Sequence, residues 1–259
     1  MSILLWVPLA GQELTHDYWP YEDGEQITYK LYYNLGFVWV PAGEVIFDLT
    51  EQSETYVFSV SGRTFKSYDP FFKVRDTFVS TVDKKTRLPD KFMRLVQEGK
   101  YVRFDSLSFH QEEHKVEEFF GRTRAEAERF AFELDDVVHD MVSVIYHLRS
   151  HRPSSLRPGD KIPVAVFFDK EHFSLNVNYL GKENKRIKGQ GRREVHHYQP
   201  ELIEGYVFSE GDLMDIWVSD DGRNVPLMIE SPISVGSIKA VLTGYKPSRW
   251  GEELEDYPK

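Results

Sequence analysis

Apolar and polar residues alternate one by one along much of this 259-residue chain, and this alternation constrains the fold more than any other feature. Successive side chains of a β-strand point to opposite faces, so a strand with one buried face has a hydrophobic period of two. The apolar positions of the clearest segments are Ile27, Tyr29, Leu31 and Tyr33; Val45, Phe47 and Leu49; Tyr56, Phe58 and Val60; Phe173, Leu175, Val177 and Tyr179. The alternation therefore predicts a mainly β protein.

Turn residues between such segments predict antiparallel hairpins. Residues 162–168 alternate like the segment that begins at Phe173, and a short polar link at 169–172 joins the two. The Asp-Gly sequence within 220–224 supplies the positive φ that a tight turn requires, and a further turn is expected at Glu98-Gly99. Together these signals predict about a dozen strands, spaced as in an antiparallel sandwich or barrel.

One segment, residues 135–150, departs from the period of two. Its apolar residues recur at helical spacing, at Val137, Met141, Ile145 and Leu148. Several β-branched valines lower the intrinsic helix propensity of this segment, so burial must hold the helix in place. The pattern predicts a single buried helix over 135–150, capped by Asp135 or Asp136.

Charge and composition exclude several classes of function. The chain has 42 acidic and 32 basic residues, a formal charge of −10. This balance argues against a nucleic-acid-binding protein, because counterion release requires a basic surface. The absence of cysteine excludes disulfides, thiolate metal sites and a cysteine nucleophile. No cofactor is predicted.

The two ends of the sequence differ from its middle. An apolar run at residues 3–10 is typical of a secretory signal, so residues 1–12 are interpreted as a signal-peptide remnant; a first buried strand is the alternative. Residues 13–247 are predicted to form one β-rich domain, and residues 248–259 an acidic tail. We therefore expect an exported protein of the periplasm or cell envelope without a transmembrane segment.

Several stretches resemble, in order and spacing, a bacterial family called domain of unknown function 3108. They are residues 69–89, 97–101, 140–150, 157–169, 179–183, 216–230 and 235–242. The resemblance implies an exported protein with a large curved antiparallel sheet, or open half-barrel, and one helix packed on its concave side. Such a sheet is similar to the lipoprotein-carrier half-barrels of the bacterial envelope.

The family has no established activity, so the resemblance implies no catalytic residue. The positions that match the recurrent pattern of the family are Arg75, Asp76, Asp83, Pro89, Asp140, Ser143, Tyr146, Arg149, Asp220 and Pro226. All of them can be structural.

Polar residues recur along one side of the predicted helix. His139, Ser143 and His147 are spaced four apart, and Asp136 and Asp140 lie beside them, so an acid, a hydroxyl and two imidazoles could share one face. A hydrolase needs such groups within hydrogen-bond reach. The favoured interpretation is that they satisfy one another as buried polar groups, because a serine in mid-helix lacks the strained turn that exposes a nucleophile.

Two other clusters are candidates for binding. The basic residues of the first are Lys182, Lys185, Arg186, Lys188, Arg192 and Arg193. Lys185, Arg186 and Lys188 could contact anionic groups, although such residues more often protect a strand edge. The second comprises two histidine pairs, at 110 and 114 and at 196 and 197, whose spacings on strands do not chelate a metal, so no metal site is predicted.

Aromatic residues are abundant, with 18 Phe, 14 Tyr and 5 Trp, and could line a cavity as well as fill a core. The preferred hypothesis is a non-catalytic protein that binds a lipid or glycolipid on the concave side of the sheet. The alternative is an envelope assembly module that contacts a protein partner through its strand edges and the basic residues. Hydrolysis by the helix residues is the third hypothesis.

Overall fold

One antiparallel sheet of 14 strands contains most of the regular structure that is described. The structure is a computed structural model and describes residues 18–35, 38–203, 212–232 and 236–248. The strands are β1 (Gln26–Leu35), β2 (Val38–Glu51), β3 (Thr55–Thr64), β4 (Arg75–Asp83), β5 (Pro89–Glu98), β6 (Tyr101–His110), β7 (Lys115–Gly121), β8 (Glu128–Glu133), β9 (Lys161–Phe168), β10 (Glu171–Ile187), β11 (Gly191–Pro200), β12 (Asp215–Ser219), β13 (Pro226–Pro232) and β14 (Ser237–Lys246). The helix α1 spans Ser143–Arg149, and short 3-10 turns lie at Gln111–Glu113, Arg124–Glu126 and Pro153–Ser155.

Two meanders make up the sheet. Strands β1 to β8 pair in sequence order, as do β9 to β14, and the two sets join where β1 pairs with β14. The predicted hairpins are present: Val166 lies opposite Phe173, and the turn between β9 and β10 needs only Asp169 and Lys170, both at positive φ. Gly222 and Gly99 also have positive φ in the predicted turns. The mainly β prediction is thus confirmed, and β8 and β9 are the edges of the sheet.

Successive connections alternate between two ends of the sheet, because every strand pair is antiparallel. We call one of these ends the loop rim. Its connections include residues 65–74, 99–100, 122–127, 169–170, 201–203 and 212–214. The crossover from β8 to β9, which contains α1, starts and finishes at the opposite end. The helix therefore enters the concave side of the sheet from the end opposite the loop rim.

The helix is shorter than the sequence pattern predicts. Only Ser143–Arg149 is helical, and residues 135–142 form turns and an extended contact with β9, in which the His139 N–H donates to the Ala165 carbonyl at 2.8 Å. The carboxylate of Asp140 accepts hydrogen bonds from the Val142 and Ser143 N–H groups, at 2.7 and 2.9 Å. This capping interaction starts the helix after Asp140, and the preceding β-branched valines favour extended backbone. The prediction of a helix from residue 135 is therefore wrong.

The core confirms a curved sheet around one helix. On one side of α1, the Tyr146 ring stacks on Phe58 of β3, with ring centroids 3.7 Å apart, and packs in a cluster that includes Leu49 of β2 and Val116 of β7. Residues on another side of α1 face β1 and the strands β9 to β13. Because a helix of 7 residues contacts both meanders, the sheet must wrap around it.

Burial departs from the predicted alternation in β1 and at the end of β9, where Phe167 is buried and Phe168 only half-buried. The extra residue of the bulge beside Leu31 and Tyr32 is Ala42 of β2, because Leu31 lies opposite Gly43 and Tyr32 opposite Pro41, so the bulge does not exchange the two faces of β1. In β1, Tyr32 is nevertheless buried and Tyr33 only half-buried. The sequence pattern therefore assigns the wrong tyrosine to the core at this point.

Some predictions lie outside the described residues. The signal-peptide remnant at 1–12 and all but the first residue of the acidic tail belong to this group, and a single domain over 13–247 also stays a prediction. Among the described helices, none has the length and apolar character needed to cross a bilayer.

Candidate functional site

An apolar cavity of about 330 Å³ lies between α1 and the concave face of the sheet. Helix α1 contributes Val144, Ile145 and Leu148 to its wall, and strands β1, β2 and β9 to β13 supply most of the remaining side chains. Leu202 and Met214 extend the wall to the loop rim. Among the described residues of the wall, only three have polar or charged side chains other than tyrosines, namely Arg149, His151 and Asn224.

The short helix accounts for this cavity. With 7 residues, α1 is only about 10 Å long, at 1.5 Å per residue. Packing against β2 to β7 uses the side of the helix that carries Tyr146, so the space in front of Ile145 and Leu148 is bordered by other strands but not filled. The helix α1 is thus apolar on two sides, and the sheet packs closely against only the side that carries Tyr146. The cavity is the apolar space that remains on the other side.

A buried ion pair closes the helix end of the cavity. The Arg149 guanidinium donates to both carboxylate oxygens of Glu25, at 2.7 and 2.8 Å, and the Tyr245 hydroxyl donates to Glu25 at 3.1 Å. Burial alone would lower the pKa of Arg149, but the Glu25 carboxylate raises it above its ordinary value. The cavity wall therefore holds a neutralised cation, and Asn224 fixes the helix end by donating to the Arg149 carbonyl at 2.6 Å.

The predicted polar residues of the helix segment are only partly assembled. His139 Nδ1 lies 3.3 Å from Ser143 Oγ, and the rings of His139 and His147 are 4.4 Å apart between centroids. Asp140 is also buried, and its carboxylate accepts a hydrogen bond from the Ser80 hydroxyl at 2.6 Å. Asp136 is exposed, precedes the helix and bonds the N–H of the next residue, so it does not share their face. None of these predicted residues lines the apolar cavity.

The surroundings of Ser143 favour a structural role. Ser143 and His139 are 2 % and 6 % exposed, and the space that borders Ser143 and His147 measures only about 10 Å³. That volume holds about one water molecule. Burial lowers the pKa of His139 to about 4, so the imidazole is neutral at pH 7. A neutral imidazole beside a hydroxyl can act as a base, but the described residues around this pair leave no room for a substrate.

The basic residues follow an uncovered strand edge. Strand β9 pairs with residues 171–178 of β10, so among the described strands none pairs with 182–187 on that side. The ammonium groups of Lys185 and Lys188 lie over the rings of Trp217 and Tyr32, at 3.5 and 4.0 Å from the ring centroids, and Arg186 is exposed. This placement favours the protection of an edge; a role in assembly stays a prediction.

The paired histidines have hydrogen-bond partners in the sheet. His196 bonds the Tyr179 hydroxyl at 2.8 Å and Asp220 at 2.7 Å, while His197 bonds Asp215 at 2.7 Å. The two rings are on opposite faces of β11, as alternation requires. Within the described part of the chain, no group of three potential ligands is arranged to hold a metal ion.

The sequence reasoning missed a charged cluster inside the sheet. Asp169, in the turn between β9 and β10, pairs with Arg94 at 2.8 Å and Arg103 at 2.6 Å, and both arginines also pair with the buried Asp105 of β6. Nearby, burial and then the charge of Asp105 raise the pKa of Glu118 on β7 to about 7. The ion pairs of Asp169 tie the turn before β10 to strands β5 and β6, across the gap between the two sheet edges.

Comparisons with known proteins agree with this architecture. No curated protein matches the sequence significantly. Among solved structures, a beta-barrel-like protein of domain of unknown function DUF1849 from Brucella abortus is similar, with a TM-score of 0.59 and 10 % sequence identity over 88 % of this chain and 99 % of that chain. At this identity the likeness shows the fold alone. Residues 28–243 match the family described as protein of unknown function DUF3108, and this chain therefore belongs to that family.

Proposed function

We propose that this protein binds the apolar chain of a lipid or glycolipid, without covalent chemistry, in the cavity beside α1. The cavity of about 330 Å³ carries the proposal, because its wall is almost entirely apolar. The apolar run at residues 3–10 supports placing this activity outside the cytoplasm, in the cell envelope. Cell fractionation of the tagged full-length protein tests that placement.

Size and energy both favour an occupied cavity. Ligand sites commonly measure about 300 to 1,000 Å³, so this cavity suits a single apolar chain better than a lipid with several. An acyl chain that enters the cavity would gain about 0.8 kcal/mol for each methylene that it removes from water.

Two measurements test the proposal. Native mass spectrometry of the protein purified from its own host should show a retained mass that organic solvent removes. Binding of dansyl-labelled undecanoic acid, followed by fluorescence, should saturate at one molecule per protein.

A filling substitution locates the site. Ile145→Trp replaces an aliphatic side chain of the cavity wall with a larger indole ring. It should weaken ligand binding at least about tenfold, because the indole occupies the space of several ligand methylenes. Leu95→Trp, at an exposed position on β5, is the matched control and should bind as the parent does. Absence of both a retained mass and saturable binding would refute the proposal, and so would unchanged affinity in the Ile145→Trp variant.

A further inference from the structure

Two consecutive phenylalanines are exposed in the connection between β3 and β4. Phe71 is 86 % exposed and Phe72 is 54 % exposed. Single exposed apolar residues are ordinary on protein surfaces, but adjacent large rings at one prominent site point to an interaction. The connection belongs to the loop rim.

The backbone of this connection is held in place. Arg75 forms a two-point salt bridge with Asp69, at 2.6 and 3.1 Å, and the Thr64 hydroxyl donates to Asp69 at 3.0 Å. The N–H groups of Phe71 and Phe72 both donate to the Tyr68 carbonyl, at 2.8 and 2.9 Å. The two rings are therefore presented by an ordered turn, so binding through them requires little additional ordering.

Three exposed lysines lie in the two connections that carry or contact these rings. Lys66 and Lys73 are exposed in the same connection, and Lys100 is exposed in the turn between β5 and β6. The two connections touch, because the Gly99 N–H donates to the Lys73 carbonyl at 2.8 Å and the Phe72 ring lies against Gly99. Tyr101, which is also exposed, adds a third ring beside Lys100.

The nearby acidic groups reduce this positive charge only in part. Asp69 is neutralised by Arg75, while Glu98 is exposed beside the same turn. Asp76, which is half-buried, shares a hydrogen bond with Glu98. Three lysines against these two acidic residues leave a net charge of about +1 at this site on a chain whose formal charge is −10. Aromatic rings flanked by lysines match the boundary between headgroups and acyl chains of an anionic bilayer.

The position of the loop fits the cavity. Phe71 and Phe72 lie at the loop rim, and the cavity wall reaches the same end of the sheet through Leu202 and Met214. A membrane at the loop rim would thus be on the side to which the apolar cavity extends.

We propose that the β3–β4 connection docks this protein on an anionic lipid bilayer, with Phe71 and Phe72 inserted below the headgroups and Lys66, Lys73 and Lys100 on lipid phosphates. A protein partner fits the same features less well, because a stable protein interface covers about 800 Å² on each side, whereas this feature is a small protrusion. The docking proposal does not depend on ligand binding in the cavity, since the two sites have no residue in common.

Vesicle flotation tests the proposal on the full chain. The protein should float with phosphatidylcholine vesicles that contain phosphatidylglycerol and float poorly with phosphatidylcholine alone, and salt should weaken the association. The double substitution Phe71→Ser and Phe72→Ser should lower partitioning at least about tenfold, because two rings no longer leave water. Phe119→Ser, at an exposed ring on β7, is the matched control and should float as the parent does.

Charge reversal tests the second half of the proposal. Lys66→Glu combined with Lys73→Glu should remove the preference for anionic vesicles, whereas Lys91→Glu, on the exposed face of β5, should retain it. The proposal is overturned if the parent protein fails to float, or if the loop variants float as well as their controls. It is also overturned if Phe71 instead mediates self-association in sedimentation without vesicles. Fatty-acid binding uses other residues, so each proposal can fail alone.

Discussion

Removing one member of the buried Glu25–Arg149 pair should be among the most destabilising single substitutions in this protein. Both side chains are almost fully buried, at 1 % and 4 % exposure, and they join the end of α1 to the start of β1. The substitution Arg149→Met keeps the approximate length of the side chain, but among the described residues it leaves the Glu25 carboxylate with only the Tyr245 hydroxyl as a hydrogen-bond donor. An uncompensated charge of this kind costs about 3 to 5 kcal/mol.

The size of this loss can be separated from the value of the pair itself. In the double variant Glu25→Leu with Arg149→Met, no buried charge remains, so its stability should return to within about 2 kcal/mol of the parent. The exposed pair Arg63 and Glu44 on β3 and β2 is the matched control, and Arg63→Met there should cost less than about 1 kcal/mol. Urea unfolding at pH 7, followed by far-ultraviolet circular dichroism, measures each free energy of unfolding.

Two results would contradict this reasoning. If Arg149→Met lowered the free energy of unfolding by less than about 1 kcal/mol, the carboxylate would have found water or another partner. If the double variant were as unstable as the sum of its single substitutions, the two residues would not act as a pair.

The remaining predictions concern pH. Burial lowers the pKa of His139 to about 4 from an ordinary 6.5, so as pH falls the imidazole is protonated in the unfolded chain before it is protonated in the folded protein. The free energy of unfolding should therefore fall by roughly 3 kcal/mol as pH decreases from 6.5 to 4. The substitution His139→Gln should remove this pH-dependent loss of stability. Burial, and then Asp105, raise the pKa of Glu118 to about 7 from 4.5, so its contribution is complete below pH 4.5 and is lost as pH rises through 7. Glu118→Gln should therefore exceed the parent in stability above pH 7, by up to roughly 3 kcal/mol. Urea unfolding across this pH range checks both, and a variant whose pH profile matches that of the parent would disprove the corresponding assignment.

Local sequence patterns are sufficient to predict the strands and much of their pairing. The pairing of β5 with β6 is an exception in its register: a turn at Glu98-Gly99 would place Arg94 opposite Arg103, whereas the observed turn residues are Gly99 and Lys100, and Arg94 lies opposite Asp105. The sequence therefore predicts the hairpin but not the buried ion pair that its register creates. The contact of Asp169 with Arg94 is not predicted either, because it depends on how the two sheet edges approach each other in space.

The helix and the cavity show where such patterns stop being sufficient. The spacing of Val137, Met141, Ile145 and Leu148 is helical, but the Asp140 carboxylate caps the backbone and the helix begins only at Ser143. The polar residues of this segment attracted a functional interpretation, whereas the cavity is lined by the apolar residues Val144, Ile145 and Leu148. A cavity is space left between elements, so its presence depends on the packing of the whole sheet rather than on a motif.

The pairing of β1 with β14 has a consequence for how the protein is made. Ile27 of β1 lies opposite Tyr245 of β14 in the middle of the sheet. During translation, β1 leaves the ribosome before the other strands described here, and its partner β14 leaves after them. Until then the nascent chain exposes an unpaired edge at β1, which other chains or a chaperone can occupy. A premature stop codon before Ser237 would therefore open the sheet at its centre while sparing all the hairpins of the first meander.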